Sequence, residues 1–318
     1  MTNIKKTVIT TINSPTFGVK NFLLFSDVIV VGDEKTPDNW KCAGAEFIPI
    51  KTQTSKFGKI LPRNHYSRKM IGYLEAIKGG ADVIIDTDDD NIPYGDWGFP
   101  DFNGVFDIVY GQYNEFVNAY SYFTDQFIWP RGYPLHLINE KKNIQEGSGV
   151  INVGVWQGLA DREPDVDAVY RMLINKECYF KKRKPIVLGN SVCPFNSQNT
   201  AFRKDVFPLL YIPTTVSMRF SDILRGLVAQ PIMRLHGYHL GFTRATVYQD
   251  RNKHNIKKDF NEELFMYKHS EEICNLVHDV IYDDFSIEEN LMSAYLQLKK
   301  SGITGDETKT LTEWLKSL

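Results

Sequence analysis

Four carboxylates crowd into five positions, Asp86, Asp88, Asp89 and Asp90, directly after the apolar run Val83-Ile84-Ile85. Like charges this close raise one another's pKa and call for compensation. A divalent cation is the usual means. Alternate side chains of an extended chain share a face, so Asp86, Asp88 and Asp90 are expected on one side if strand geometry persists. Carboxylate oxygens suit Mg2+ or Mn2+, and Mg2+ is commonly held by one or two carboxylates together with substrate phosphates. An apolar strand running into D-x-D is therefore what a nucleotide-diphosphate site would need. Asp88 and Asp90 would be metal ligands, with Asp86 and Asp89 beside the diphosphate. An acidic cap or an Asx turn beyond a strand is the plainer reading.

The elements that must position this cluster are legible around it. KKTVITTIN (5–13), DVIVVGD (27–33) and DVIID (82–86) read as strands, and EFIPI (46–50) as a third short one between them. A short helix is expected over 19–26. Another is expected in NHYSRKMIGYLEAIKGG (64–80), where Tyr66, Met70, Tyr73, Leu74 and Ile77 share a face and Gly79-Gly80 ends it. Alternating strands and helices predict a doubly wound sheet, and such sheets bind ligands at the carboxyl ends of their strands. The middle is less regular, with strands expected at DIVYGQY, PIVLGNS and YHLGFTRATVYQ and a helix at SDILRGLVAQPIMRLHG capped by Ser221. From Lys257 onward the pattern is helical, and Thr304 could start a last helix. The expected organisation is an α/β domain over 1–256 and a C-terminal helical extension over 257–318 packed on it.

Bulk properties bound the function. A length of 318 residues suits one large α/β domain with such an appendage. A net charge of −2 gives no ground for a nucleic-acid partner. Four cysteines without C-x-x-C spacing argue against a disulfide framework or a zinc site and fit a reducing compartment. No signal peptide and no apolar run of ~18 residues is apparent. A cytoplasmic location is expected, peripheral at the inner face of the membrane if KKRK (181–184) meets lipid rather than water.

A metal-carboxylate motif after an early parallel strand resembles that of GT-A glycosyltransferases. Three longer stretches are more specific: LPRNHYSRKMIGYLEAIKGGADVIIDTDDDN, CPFNSQNTAFRKDVFPLLYIPTTVSMRFSDILRGLVAQ and EPDVDAVYR. In this order they resemble the plant STELLO proteins. The P-D-V-D element is also similar to one in the reversibly glycosylated polypeptides, the UDP-arabinopyranose mutases. The resemblance spans roughly residues 5–250 and gives the C-terminal helices no counterpart. It implies a GT-A-like fold, Rossmann-like with a mixed, mainly parallel sheet flanked by helices. It also implies a Mn2+ or Mg2+ cofactor, a nucleotide-sugar donor with a UDP-sugar favoured, and a glycan or lipid-linked acceptor.

Under that resemblance the strand-end loops hold the nucleotide. Thr11, Asn13, Ser14 and Thr16 after the first strand and Asp33 after the second would touch base or ribose. Turn chemistry is the alternative for them. Arg68 and Lys69, on a polar helix face, would contact base or phosphate, as Arg251 would farther on. Asp165 and Asp167 of P-D-V-D, and Asn196, Gln198 and Asn199 of the amide-rich FNSQNT, would bind the donor sugar or acceptor hydroxyls. At a helix start the two acids could equally answer the dipole. Asp222, at a helix start, is the candidate general base, with Arg219 and Arg225 flanking it. His254 is a candidate third metal ligand. Retention of configuration would remove the base role of Asp222. A nucleotide-sugar mutase or self-glycosylating protein, and a non-catalytic nucleotide-sugar-binding scaffold, are the alternative functions.

Overall fold

The structure, a computed structural model, describes residues 3–140, 145–251 and 255–318. In chain order the first part runs β1 (Lys5–Thr11), α1 (Phe17–Phe22), β2 (Asp27–Gly32), β3 (Ala45–Ile48), α2 (Lys56–Ile60), α3 (Lys69–Lys78), β4 (Val83–Thr87) and β5 (Asn91–Pro93). The middle contributes β6 (Asn103–Tyr110), β7 (Gln145–Asp161), α4 (Ala168–Leu173), β8 (Ile186–Leu188), β9 (Asn199–Arg203), α5 (Met218–Leu235) and β10 (His239–Gln249). Three helices follow: α6 (Ile256–His278), α7 (Ile287–Lys300) and α8 (Thr308–Leu315).

The strands form a single sheet in the order β3-β2-β1-β4-β9-β7-β6-β8-β10-β5. The first four are mutually parallel. Strand β2 shows why: Ile29 and Val31 enter the core beneath α3, while Val28 and Val30 enter a second core on the opposite face. A strand buried on both faces reads as a continuous apolar run. Beyond β4 the sheet turns mixed, because β9 and then β7 join antiparallel. This is the expected α/β architecture with C-terminal helices.

Helix α1, capped by Thr16, covers Phe17–Phe22 rather than 19–26, and two later helix starts also differ from expectation. Helix α5 begins four residues earlier than predicted, with Ser217 in the cap position, and Ser221 donates from inside it to the Met218 carbonyl. Asp222 therefore lies in the second turn, not at the helix start. The last helix begins at Thr308 rather than Thr304, because Glu307 in its cap position is drawn into the core. Its carboxylate accepts from Tyr211 Oη, Thr214 N and Oγ1, and Thr215 N at 2.5–3.0 Å. The loop leading into α5 is fastened this way.

Helix α5 is buried continuously from Phe220 to Met233 and contains Pro231. Proline donates no N–H, so the carbonyl four residues back loses its helical partner. That carbonyl, of Leu227, accepts instead from the Cys274 thiol of α6 at 3.3 Å. Side chains of α6, α7 and α8 share one core with α3 and α5. At its far end Trp314 of α8 packs on Phe57 of α2 and donates to the Pro208 carbonyl. No helix among the described residues is long and apolar enough to cross a membrane.

Candidate active site

Strand β4 delivers Val83, Ile84 and Ile85 into the core and stops at Thr87, so Asp88, Asp89 and Asp90 lie in the turn that follows. The extended geometry does not persist, and the four acids part company. Asp86 is fully buried, pairing with Lys69 Nζ at 2.6 Å and Arg225 Nη1 at 2.9 Å. Lys69 also reaches the Thr87 carbonyl at 2.6 Å, Tyr66 Oη at 2.8 Å and Asp88 Oδ1 at 3.2 Å. Arg225 continues to Ser197 and Tyr73. Lys69 and Arg225 thus compensate the cluster from beneath. Neither lines the cleft, nor does Asp86, so the expected ligand contacts of these three give way to a buried ion-pair network. Lys69 and Arg68 are both buried, which corrects their placement on a polar helix face.

Asp89 serves as a clamp. Its Oδ2 accepts from Thr11 Oγ1 and from Asn13 Nδ2, and its carbonyl accepts from Thr16 Oγ1 at 2.5 Å. Thr16 in turn caps α1. The backbone of α1 presses on the same turn: a Cβ on Gly18 would fall 2.2 Å from the Asn91 carbonyl oxygen and 2.9 Å from that of Asp89. Asp88 and Asp90 remain at the surface of the cleft. Tyr66 and Lys69 bond to one oxygen of Asp88, Oδ1. Gln249 reaches Oδ1 of Asp90 at 3.0 Å. Partial burial at the cleft wall pushes the Asp88 carboxyl up to about 7, with Lys69 opposing and Asp90 and Asp86 adding to it.

These acids open into a cleft of about 700 Å³ at the carboxyl ends of β1, β2 and β4. On one side lie Thr11, Asn13, Asp33 and Arg68. Asp33 is oriented by the Glu34 and His65 amides, and Arg68 is committed to Gln53 and to the Leu61 and Gly58 carbonyls. Ser14 is exposed and outside the lining.

On the other side lie Asp165, Gln198, Arg219, Asp222 and Arg251. Arg131, which sequence reasoning missed, organises this side. It forks onto Asp165 through Nε and Nη2, onto Asp222 through Nη1 and Nη2 at 3.0 and 2.8 Å, and donates to the Arg219 carbonyl. Burial disfavours the charge on Asp222, but Arg131, with Arg225 and Arg219 nearby, more than offsets this, and the carboxyl lies below its ordinary range. A carboxylate with both oxygens engaged and a lowered pKa is a weak base. The expected general-base role does not suit this geometry.

The remaining expected residues face inward. Asp167 caps α4, accepting from Tyr170 N, and takes a hydrogen bond from Trp129 Nε1. Asn196 accepts from the Gln198 amide, and Asn199 joins Trp97, Thr246 and the Leu159 carbonyl. FNSQNT is thus a polar knot tying β9 to β4 and β7, and of the three amides singled out only Gln198 lines the cleft. His254 lies outside the described residues. The N-terminal part of α6 adds Lys258, Asp259 and Glu262 to the lining. One residue on, Glu263 is buried and holds Arg219.

Among the described residues, no three of His, Cys, Asp and Glu form a group able to hold a metal ion. The two carboxylates of Asp88 and Asp90, both lining the cleft, nonetheless offer the hard donors that Mg2+ or Mn2+ takes alongside ligand phosphates. The donor chemistry fits such an ion at Asp88 and Asp90.

Fold and cleft together define an α/β protein with a cleft at its strand ends. Comparison narrows this: the chain is STELLO-like. A family model described as STELLO glycosyltransferases matches residues 219–318. The chain is 30% identical over 250 residues to Probable glycosyltransferase STELLO2 of Arabidopsis thaliana, covering 70% of this chain and 32% of that protein. It is 30% identical over 240 residues to STELLO1 of the same plant, covering 66% and 31%. It therefore spans about a third of the length of the curated relatives it matches. The family match reaches through α6, α7 and α8, where the sequence reading found no counterpart. Solved structures aligned with the chain include glucosyl-3-phosphoglycerate synthase of Mycobacterium tuberculosis in complex with Mn2+, UDP and glucosyl-3-phosphoglycerate. That match has 10% identity and a TM-score of 0.40, covering 89% of this chain and 82% of that one. GalNAc-T7 with UDP, GalNAc and Mn2+ aligns at 9% identity and a TM-score of 0.38, covering 98% and 56%.

Proposed function

We propose that this chain is a glycosyltransferase that moves a sugar from a nucleotide-diphosphate donor, a UDP-sugar, to a hydroxyl of a glycan or lipid-linked glycan. The observation that carries this reading is the pair Asp88 and Asp90. They stand at the carboxyl end of a parallel strand, in a cleft that also carries Thr11, Asn13 and Asp33 and the guanidinium groups of Arg131, Arg171, Arg219 and Arg251. Resemblance to proteins described as glycosyltransferases supports it.

In this reading Thr11, Asn13 and Asp33 face the nucleoside, and Asp88 and Asp90 hold Mn2+ or Mg2+. The ion, when bound, supplies positive charge to the diphosphate and makes it a better leaving group. Lys69 and Arg225 keep the turn from repelling itself apart before ligand arrives. Asp165 and Gln198 face the transferred sugar or the acceptor. Arg131 fixes Asp165 and Asp222 relative to one another, so Asp222 acts as a positioning residue.

The test is thermal unfolding of the purified chain against UDP, GDP, ADP and their sugars, with and without Mn2+. Ligand at about 100 times its dissociation constant stabilises by ~2.7 kcal/mol. A shift that needs both one nucleotide and the metal, and that Asp88→Asn abolishes, is the expected result. Absence of any shift with every nucleotide would sink the reading.

A further inference from the structure

We propose that the cleft holds a second anion, at a site formed by Arg171, Arg219 and Arg251, and that this site receives a phosphate group carried by the acceptor. The second half of the proposal rests on the glycosyltransferase reading; the first does not.

The three guanidiniums come from three separate elements: α4, the first turn of α5, and the segment after β10. All three line the cleft. Burial, then the charges of Arg171 and Arg219, push Arg251 down to about 10, with Asp165 and Asp259 opposing. Each of the three has a carboxylate neighbour, Glu163, Glu263 or Asp259, so an anion would be held by the donors these pairs leave over, among them the buried Nε of Arg171, which has no hydrogen-bond partner among the described residues.

Two of the three are braced from behind. Arg219 uses Nε and Nη2 on one Glu263 oxygen at 2.8 and 2.5 Å. Arg171 uses Nη1 on Glu163 and Nη2 on the Pro164 carbonyl. Arg251 faces Asp259 at 3.6 Å, an ion pair longer than a hydrogen bond. Arg131 is the contrast. Its Nε, Nη1 and Nη2 are all engaged by Asp165, Asp222 and the Arg219 carbonyl. A guanidinium has five donors. Arg131 is committed to the framework, while Arg171 and Arg219 each bond through two nitrogens. Preorganised guanidinium forks match phosphate geometry.

Arg171 and Arg219 belong to α4 and α5, which carry none of the groups facing the nucleoside. The donor diphosphate has its own cation at Asp88 and Asp90 in the reading above. A second anion is therefore assigned to the acceptor. A phosphorylated sugar and a prenyl-phosphate-linked glycan would both supply it.

The experiment is calorimetric titration of the intact chain with inorganic phosphate, before and after saturation with UDP and Mn2+. Phosphate is expected to bind in both cases. Arg171→Gln and Arg219→Gln are expected to weaken it by about tenfold or more, the scale of one charge-assisted bond, and to leave UDP affinity within about twofold. Arg251→Gln, whose partner is looser, gives a second reading if the buried variants fail to fold. Glucose 6-phosphate and geranyl phosphate then separate the sources: tighter binding of one over inorganic phosphate identifies it. Displacement of phosphate by UDP would overturn the proposal and return the arginines to the donor. Phosphate binding indifferent to all three variants would overturn it as well. If no nucleotide binds while phosphate binding still depends on these arginines, the anion site stands and the donor reading fails.

Discussion

Lys69 Nζ lies 2.6 Å from Asp86 Oδ1, and neither side chain reaches solvent. With Arg225 on the other carboxylate oxygen, this pair lets a buried strand end in acids. Breaking a buried pair from one side leaves a charge uncompensated and costs about 3–5 kcal/mol. Lys69→Met is expected to fall in that range in urea unfolding, and Arg225→Met likewise. Values under about 1 kcal/mol for both would mean that the network does not hold the turn.

Gly18→Ala tests the contact between α1 and the acidic turn. Overpacking of this kind costs about 1–3 kcal/mol. Here the added methyl pushes on the Asn91 and Asp89 carbonyls, so metal-dependent nucleotide affinity should fall with stability. Gly95→Ala, where a Cβ meets nothing within 4 Å, is the control and should change neither. Equal behaviour of the two variants would refute the contact.

Asp167 gives a pH dependence. Burial raises its carboxyl to about 6, despite the Tyr170 amide and Trp129. A group with a raised folded-state pKa stabilises fully below its unfolded value, near 3.8, and loses that contribution as pH rises through about 6. Asp167→Asn keeps an acceptor for the cap but has nothing to titrate. Between pH 4 and pH 8 the parent chain should lose on the order of 2 kcal/mol more than this variant. Parallel stability curves would show that the burial is not felt.

Glu307→Ala strands four donors that now share one buried carboxylate. Unsatisfied buried donors cost about 1–3 kcal/mol each where water cannot replace the partner. A loss of about 3 kcal/mol or more is expected in denaturant melts, with nucleotide binding weakened through the loop before α5. Full nucleotide affinity in the folded variant would separate that loop from the cleft.

Much of the scaffold was legible because its signals are local. β-Branched runs mark β1, β2 and β4, Gly79 and Gly80 end α3, and the acids of the β4 turn stand out in any reading. What was missed depends on distant partners. The Tyr66-to-Lys69 spacing was visible, but that Lys69 turns inward follows from Asp86, which only the sheet brings beneath it. Arg131 sits in an irregular segment whose sequence, WPRGYP, carries no periodic pattern. FNSQNT looked like a sugar-binding stretch because amides are equally suited to knotting strands together. The start of α5 was misplaced because Ser217 and Ser221 are both plausible caps, and Glu307, 90 positions from Ser217, settles the loop between.

The fastening of the α5 loop by Glu307, and of Arg219 by Glu263, has a bearing on how the protein is made. Chains are synthesised from the amino end at about 5–20 residues per second, and early segments can fold as they emerge. The parallel strands β1 to β4 and the acidic turn leave the ribosome before the rest of the cleft. The wall opposite them waits for α6, and the loop before α5 waits for residue 307. A nascent chain can thus assemble one side of its cleft well before the facing side exists, and the complete cleft waits for α6 and for residue 307.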